Sequence, residues 1–224
     1  INAIARVRLA DGRVLQAVLD SATPRYVVPE RPAVTAVLHD YAGLGVEHIL
    51  FGFDHLLFVF GLLLLAGNGR RVVATVTAFT LGHSVTLALA TLGVAPLPSA
   101  PVELLIALTI LWLAVELADD GRRPSWMRRR PWAMAAGFGL LHGLGFAGAL
   151  REVGLPEGEI PPALLAFNLG IEAGQLLFVA AVLVVAAALR PLRTRLPATV
   201  AAVPVNAMGA LAAYWCFERA AALW

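Results

Sequence analysis

The chain has 224 residues, of which 59% are hydrophobic and only 14% charged, and its mean hydropathy is +0.78. Soluble domains carry about 25% charged residues, so the composition excludes an ordinary soluble enzyme and indicates a polytopic membrane protein. All 17 basic residues are arginine, the net charge is +2, and no basic stripe indicates a nucleic-acid partner. The single cysteine, Cys216, excludes an intrachain disulfide and a multi-cysteine metal site.

Residues 1–35 are the part of the chain that is not membrane-like. Apolar and polar residues alternate over 3–10 and 13–19, on either side of the turn-forming pair Asp11-Gly12, which predicts a β-hairpin and then an extended segment to Pro32. A lone hairpin is barely stable in water, so we expect these residues to be the C-terminal remnant of a β-rich extracytoplasmic domain. The chain starts at Ile1 rather than methionine, so we expect further sequence upstream.

Residues 41–219 contain six apolar segments, each long enough to cross a bilayer as a helix. Breaks rich in glycine, proline or arginine separate them. The predicted fold is therefore an all-α membrane protein with six transmembrane helices. The segments are 43–66, 72–94, 101–118, 132–150, 162–189 and 198–217.

The distribution of arginine predicts the orientation. The loops after segments 1, 3 and 5 are rich in arginine, whereas the loop after segment 2 has none and the loop after segment 4 has one. By the positive-inside rule the first set is cytoplasmic, and both termini are extracytoplasmic in a bacterial inner membrane. The arginines of the loops after segments 1, 3 and 5 are Arg70, Arg71, Arg122, Arg123, Arg128, Arg129, Arg130, Arg190, Arg193 and Arg195.

The stretch 47–55 in segment 1 carries four ionisable residues at bilayer depth, where such groups are costly and usually functional. On one continuous helix His48 and His55 share a face, and Glu47 and Asp54 form a second pair about 100° around the axis. The two histidines would then lie about 10.5 Å apart along the axis, which favours two stations on a path over one compact site.

Other segments carry buried polar groups at a similar depth. His83, His142 and Glu172 lie in segments 2, 4 and 5, level with Asp54 and His55, which predicts a metal site between segments 1, 2 and 4 with segment 5 adjacent. Imidazoles with carboxylates suit a divalent transition metal or a proton path. The predicted metal-site residues are His48, Asp54, His55, His83, His142 and Glu172. The predicted supporting or pathway residues are Glu47, Ser84, Glu103, Asn168 and Gln175.

Simpler structural roles are also open for several of these polar residues. For Ser84 we favour a role in an interhelical hydrogen bond, and for Glu116 a role as an acid at the membrane interface. Glu103 is equally well explained as a cap of its helix. His39 precedes the membrane and is expected to be solvated. The whole cluster can also be read as polar groups that only hold helices together.

The motif His48-x5-Asp54-His55, with His142 in a glycine-rich segment, resembles the HupE/UreJ membrane proteins. The stretches 77–84 (Thr-Ala-Phe-Thr-Leu-Gly-His-Ser) and 167–175 (Phe-Asn-Leu-Gly-Ile-Glu-Ala-Gly-Gln) are similar to that family too, so the resemblance covers about 41–217. It implies a secondary nickel or cobalt permease associated with hydrogenase and urease systems, in which His48, Asp54, His55 and His142 carry metal. The most similar subgroup has an extracytoplasmic N-terminal domain.

Three functions remain open, so whether the protein is an enzyme is also open. A metal-ion permease is the first, with transport passive or ion-coupled because no nucleotide-binding loop is present. An intramembrane zinc-dependent hydrolase is the second, in which three histidines and Asp54 hold the metal and Glu172 or Ser84 assists. A metal-sensing or assembly subunit is the third. Buried polar groups thin out towards the cytoplasmic side, which suits the hydrolase, whereas the resemblance favours the permease. The expected partners are the metal ion and membrane lipids.

Overall fold

The computed structural model describes residues 3–8, 14–19, 33–67, 69–94, 98–119, 125–153, 160–193 and 198–224. Strands β1 (Ala3–Arg8) and β2 (Val14–Leu19) pair antiparallel, with Ala3 opposite Leu19 and Arg8 opposite Val14. They lie where the alternation predicts a hairpin. The predicted turn at Asp11-Gly12, the extended segment to Pro32 and the loop arginines Arg122, Arg123 and Arg195 lie outside the described residues. The larger β-rich domain stays a prediction.

All other regular elements in the described part of the chain are helices. Most coincide with the predicted apolar segments, and two short helices lie beside them. The helices are α1 (Val34–Phe51), α2 (Phe53–Ala66), α3 (Gly69–Thr91), α4 (Ser99–Ala118), α5 (Trp126–Arg129), α6 (Pro131–Val153), α7 (Ile160–Ala188), α8 (Arg190–Arg193) and α9 (Ala198–Ala221).

The first predicted segment is not one continuous helix, and that prediction is wrong. Helices α1 and α2 are inclined by 75° and meet at Gly52, whose backbone is extended (φ −82°, ψ 90°). A Cβ added at Gly52 would lie 2.7 Å from the His48 carbonyl oxygen and 2.9 Å from His55 Nδ1. The bend therefore needs a residue without a side chain.

Three helices, α3, α4 and α7, are long and apolar enough to cross a bilayer, and the bent pair α1–α2 makes a fourth candidate span. Helices α6 and α9 occupy the predicted segments 132–150 and 198–217, and they are not among the candidate spans found in the described residues. The chain is therefore a membrane protein, and its described residues contain three or four candidate spans. The prediction of six spans is not confirmed.

Glycines let two pairs of helices pack with their backbones in contact. A Cβ at Gly170 of α7 would lie 2.1 Å from the Ala42 carbonyl oxygen of α1. A Cβ at Gly139 of α6 would lie 2.2 Å from the Phe79 carbonyl oxygen of α3. Small residues allow this approach where water cannot drive helices together. The tight pairs α1–α7 and α3–α6 fix the helices that carry the polar residues.

Candidate metal centre

Three imidazoles from three helices converge beside the bend at Gly52. His48 lies near the end of α1, His55 in the first turn of α2 and His83 in α3. One ligand nitrogen from each residue lies within 4.8 Å of the other two. The ring centroids of His48 and His55 are 4.6 Å apart, and each lies 6.1 Å from that of His83. We call these residues the three-imidazole cluster.

The bend is what brings His48 and His55 together. On a straight helix the two residues would be about 10.5 Å apart along the axis. The predicted arrangement of two separate stations on one helix is therefore wrong, because its geometry assumed a continuous helix.

Asp54 orients the ring of His55. Its Oδ1 lies 3.0 Å from His55 Nδ1 and accepts the His55 backbone N–H at 2.9 Å. An ionised carboxylate only accepts hydrogen bonds, so Nδ1 carries the proton and Nε2 keeps its lone pair. His55 Nε2 is buried and has no hydrogen-bond partner among the described residues. The ring is thus held in a fixed orientation, with Nε2 as its potential ligand atom.

His83 and His142 are also buried with ring nitrogens that make no hydrogen bond to the described residues. Neither nitrogen of His83, whose exposed fraction is 0%, makes a well-formed hydrogen bond to the described residues, although the side chain of Asn168 lies close to the ring. His142 Nε2 lies 3.0 Å from Thr109 Oγ1, and that hydroxyl donates to the Ile106 carbonyl at 2.7 Å. The hydroxyl has one proton, so His142 donates from Nε2, which leaves Nδ1 bare and without a partner.

These bare nitrogens are energetically unusual. A buried polar atom without a hydrogen bond costs about 1–3 kcal/mol. Such atoms are rare in proteins, so a group of them close together is a candidate ligand site. The ring of His142 lies 5.2 Å from that of His55, although His142 is outside the group whose ligand atoms all lie within 4.8 Å.

A cavity of about 190 Å³ adjoins the cluster. It is formed by residues of α1, α2, α4, α6 and α9, so distant parts of the sequence enclose one space. Glu103, in the first turns of α4, is exposed and marks one side of the cavity. The lining residues are His48, Gly52, Asp54, His55, Glu103, Ile106, His142, Gly145 and Arg219.

Glu172 lies in a separate polar network between α3 and α7. The hydroxyls of Thr77 and Thr80 donate to its carboxylate at 2.6 and 2.5 Å. Gln175, which is fully buried, places Oε1 2.9 Å from Thr80 Oγ1. Thr80 precedes His83 by three residues, so this network begins one helical turn from the three-imidazole cluster.

The remaining predicted supporting residues make local contacts or face outwards. Ser84 donates to the Thr80 carbonyl of its own helix at 2.6 Å, so the predicted interhelical hydrogen bond is wrong. Asn168 likewise donates within α7, to the Leu164 carbonyl at 2.8 Å. Glu47 is exposed and does not line the cavity.

Two residues fit the blander predictions made for them. Glu116 pairs with Arg128 at 3.0 Å near the end of α4, as an interfacial acid would. His39 is exposed, with 89% of its side chain accessible, and contacts Asp40 at 3.3 Å.

A family model described as HupE / UreJ protein matches residues 24–219. The chain belongs to the HupE/UreJ family. No curated protein and no solved structure gives a significant match.

Membership of the HupE/UreJ family, known for its connection with nickel and cobalt transport, gives the cluster a chemical context. Of the motif residues, His48 and His55 belong to the three-imidazole cluster, and Asp54 is hydrogen-bonded to His55. The family and the apolar helices make this a membrane protein, and the grouped histidines are its candidate transition-metal site.

Sequence reasoning missed two residues of this HupE/UreJ protein. Thr109 fixes the tautomer of His142, but a single threonine in an apolar helix gives no distinctive signal. Arg219 lines the cavity, yet it lies just beyond the predicted segment 198–217, where an arginine usually serves as an interfacial anchor.

Proposed function

We propose that this HupE/UreJ protein is a secondary transition-metal permease of the nickel/cobalt type. Its substrate ion binds between His48, His55 and His83. The observation that carries the proposal is that these three side chains, from three helices, offer ligand nitrogens within 4.8 Å of one another. Imidazole is a good ligand for nickel, cobalt and zinc.

Asp54 and His142 support the ion in different ways. Asp54 has one oxygen on His55 and the other near Arg219, so it orients His55 instead of binding the ion directly. A carboxylate behind a ligating imidazole also makes the imidazole a better donor. His142 offers its bare Nδ1 beside the cavity and assists an ion moving into the cluster.

The polar residues form a route with two ends. In the proposed orientation, with both termini outside a bacterial inner membrane, the start of α4 and the end of α9 face outwards. Glu103 and Arg219 therefore lie at the outer side of the cavity. The network of Thr77, Thr80 and Glu172 continues from His83 towards the cytoplasmic start of α3. Such a continuation favours transport over a closed site.

Uptake of nickel or cobalt into proteoliposomes tests the proposal. We expect His55→Ala and His83→Ala to abolish saturable uptake, because each deletes a coordinate bond while the helices still satisfy their own backbone groups. His39→Ala is the control, since that histidine is exposed and outside the site. Wild-type uptake by His55→Ala would contradict the proposal.

One observation favours an intramembrane zinc-dependent hydrolase as the second candidate. Three imidazoles beside a cavity leave room for a water molecule at an open coordination position, which is the arrangement of catalytic zinc. The zinc-loaded protein would then hydrolyse a lipid or amide substrate, and Asp54→Ala would lose that hydrolysis. Vesicles that show hydrolysis without ion uptake would replace the permease by the hydrolase.

A further inference from the structure

Three groups contact the guanidinium of Arg219 beside the cavity. Its Nη1 donates to the Glu103 carbonyl of α4 at 2.8 Å, and its Nη2 lies 3.4 Å from Asp54 Oδ2 of α2. The guanidinium carbon lies 5.6 Å from the ring centroid of Trp215, within the range of a cation–π contact. Only 18% of the side chain is exposed. Helix α9 therefore delivers a fixed positive charge to the carboxylate of Asp54.

A positive charge beside a proposed cation site needs a reason, since it repels the ion it adjoins. The carboxylate of Asp54 lies between Arg219 and the proposed ion site, and each of its two oxygens makes a contact. Oδ1 receives the Nδ1–H of His55, and Oδ2 receives Arg219. Rotation of the carboxylate would break both contacts, so the guanidinium locks the orientation on which the tautomer of His55 depends. A planar, permanently charged guanidinium suits this task better than a flexible ammonium group.

We propose that Arg219 is a positioning residue of the metal site. It acts through Asp54 to keep the proton of His55 on Nδ1 and to leave Nε2 for the ion. The inference rests on the proposed function in one respect, because it takes the three-imidazole cluster as the place where the metal binds. It adds a relay of three residues, Arg219, Asp54 and His55, that connects α9 to the cluster.

Arg128 provides a matched control. It makes the same kinds of contact, with Nε 3.0 Å from the Glu116 carboxylate and Nη2 donating to the Glu116 and Asp119 carbonyls at 2.6 and 3.0 Å. These contacts lie at the opposite end of α4 from Glu103. Replacing Arg128 therefore removes an equivalent anchor without touching Asp54.

Cobalt binding to the purified full-length protein measures the effect. Cobalt(II) bound to imidazoles gives visible absorption bands that report affinity and ligand geometry. We expect Arg219→Gln to weaken cobalt binding about tenfold to a hundredfold and to shift the bands, as loss of a partner behind a ligand does. Arg128→Gln should bind cobalt as the wild type does.

A double substitution shows whether Arg219 acts through Asp54. In an Asp54→Asn background, Arg219→Gln should no longer weaken cobalt binding, because the link is already broken and only the repulsion between Arg219 and the ion is left to remove. An equal loss in both backgrounds would overturn the relay. Wild-type affinity and spectrum in Arg219→Gln would overturn it as well.

A metal-free measurement separates this inference from the permease. ¹⁵N NMR of labelled histidine, with the His55 signals assigned from the His55→Ala spectrum, reports which ring nitrogen is protonated. We expect Nδ1–H in the wild type and in Arg128→Gln, and a mixture of tautomers in Arg219→Gln. If wild type binds cobalt but does not transport it, and these shifts are seen, the relay stands and the permease fails. Failure of the wild type to bind cobalt, or an unchanged tautomer in Arg219→Gln, would overturn the inference.

Discussion

At the residue scale, the buried histidines carry a stability cost that a bound metal ion would relieve. His83 is fully buried with two ring nitrogens that make no hydrogen bond to the described residues, and His142 leaves one bare. Each such atom costs about 1–3 kcal/mol. A binding ion would remove part of this cost, and anything that binds only the folded state raises its stability. Substitution of these histidines should therefore abolish metal binding without lowering the stability of the metal-free protein.

His83→Leu tests this separation. The substitution replaces a polar group without partners by an apolar one, so the metal-free protein should be as stable as wild type or more stable by about 1 kcal/mol. Nickel should raise the thermal unfolding midpoint of the wild type in detergent but not that of His83→Leu.

Leu87→Ala, one turn along α3, is the matched control for His83→Leu. Leu87 is fully buried, so its truncation should cost about 2–5 kcal/mol and leave the nickel-induced rise intact. A nickel-induced rise in His83→Leu equal to that of the wild type would show that His83 is not a ligand.

At the element scale, the bend between α1 and α2 decides the geometry of the site. The pattern of residues predicts the helices and the set of polar residues, since apolar runs and buried charges are visible in the sequence. The bend was not predicted, because the apolar run continues through Gly52 and a single glycine is tolerated inside a helix. Arg219 was missed for a related reason: its partners Asp54 and Glu103 are 165 and 116 residues away, and only packing brings them together.

Gly52→Ala tests the bend. The added methyl group would clash with the His48 carbonyl oxygen and with His55 Nδ1, so we expect the His55 ring to shift away from Asp54. We expect cobalt binding to weaken at least about tenfold while the protein still folds. Gly43→Ala is the control, since a Cβ there meets nothing within 4 Å and alanine favours the helix by about 1 kcal/mol. Equal cobalt affinity in both variants would exclude a role for the bend.

The close contact of α3 and α6 gives a second prediction at this scale. Gly139→Ala would press a Cβ against the Phe79 carbonyl, whereas a Cβ at Gly137, two residues earlier, meets nothing within 4 Å. Overpacking costs about 1–3 kcal/mol, so Gly139→Ala should lower the thermal unfolding midpoint and Gly137→Ala should not. The same midpoint for both variants would show that the helices separate easily.

At the scale of the whole molecule, orientation decides which way an ion travels. The cavity with Glu103 and Arg219 is proposed to face outwards, and the network around Glu172 to lie on the cytoplasmic side. This arrangement rests on the positive-inside rule and on the family's connection with metal transport. The site would then take up ions from outside and pass them inwards.

Cysteine labelling checks the orientation. In a Cys216→Ala background, a membrane-impermeant maleimide applied to intact spheroplasts should label Pro98→Cys, before α4, but not Ser125→Cys, before α5. Permeabilised cells should show labelling of both variants. Labelling of Ser125→Cys in sealed spheroplasts would reverse the topology and the direction of transport.

A nickel- or cobalt-loaded crystal, with anomalous scattering recorded at the absorption edge of the metal, tests the central claim most directly. The account predicts one intramembrane anomalous peak within bonding distance of a ring nitrogen from each of His48, His55 and His83, and its loss in His83→Leu. A peak bound to other residues, or none within the membrane, would contradict it.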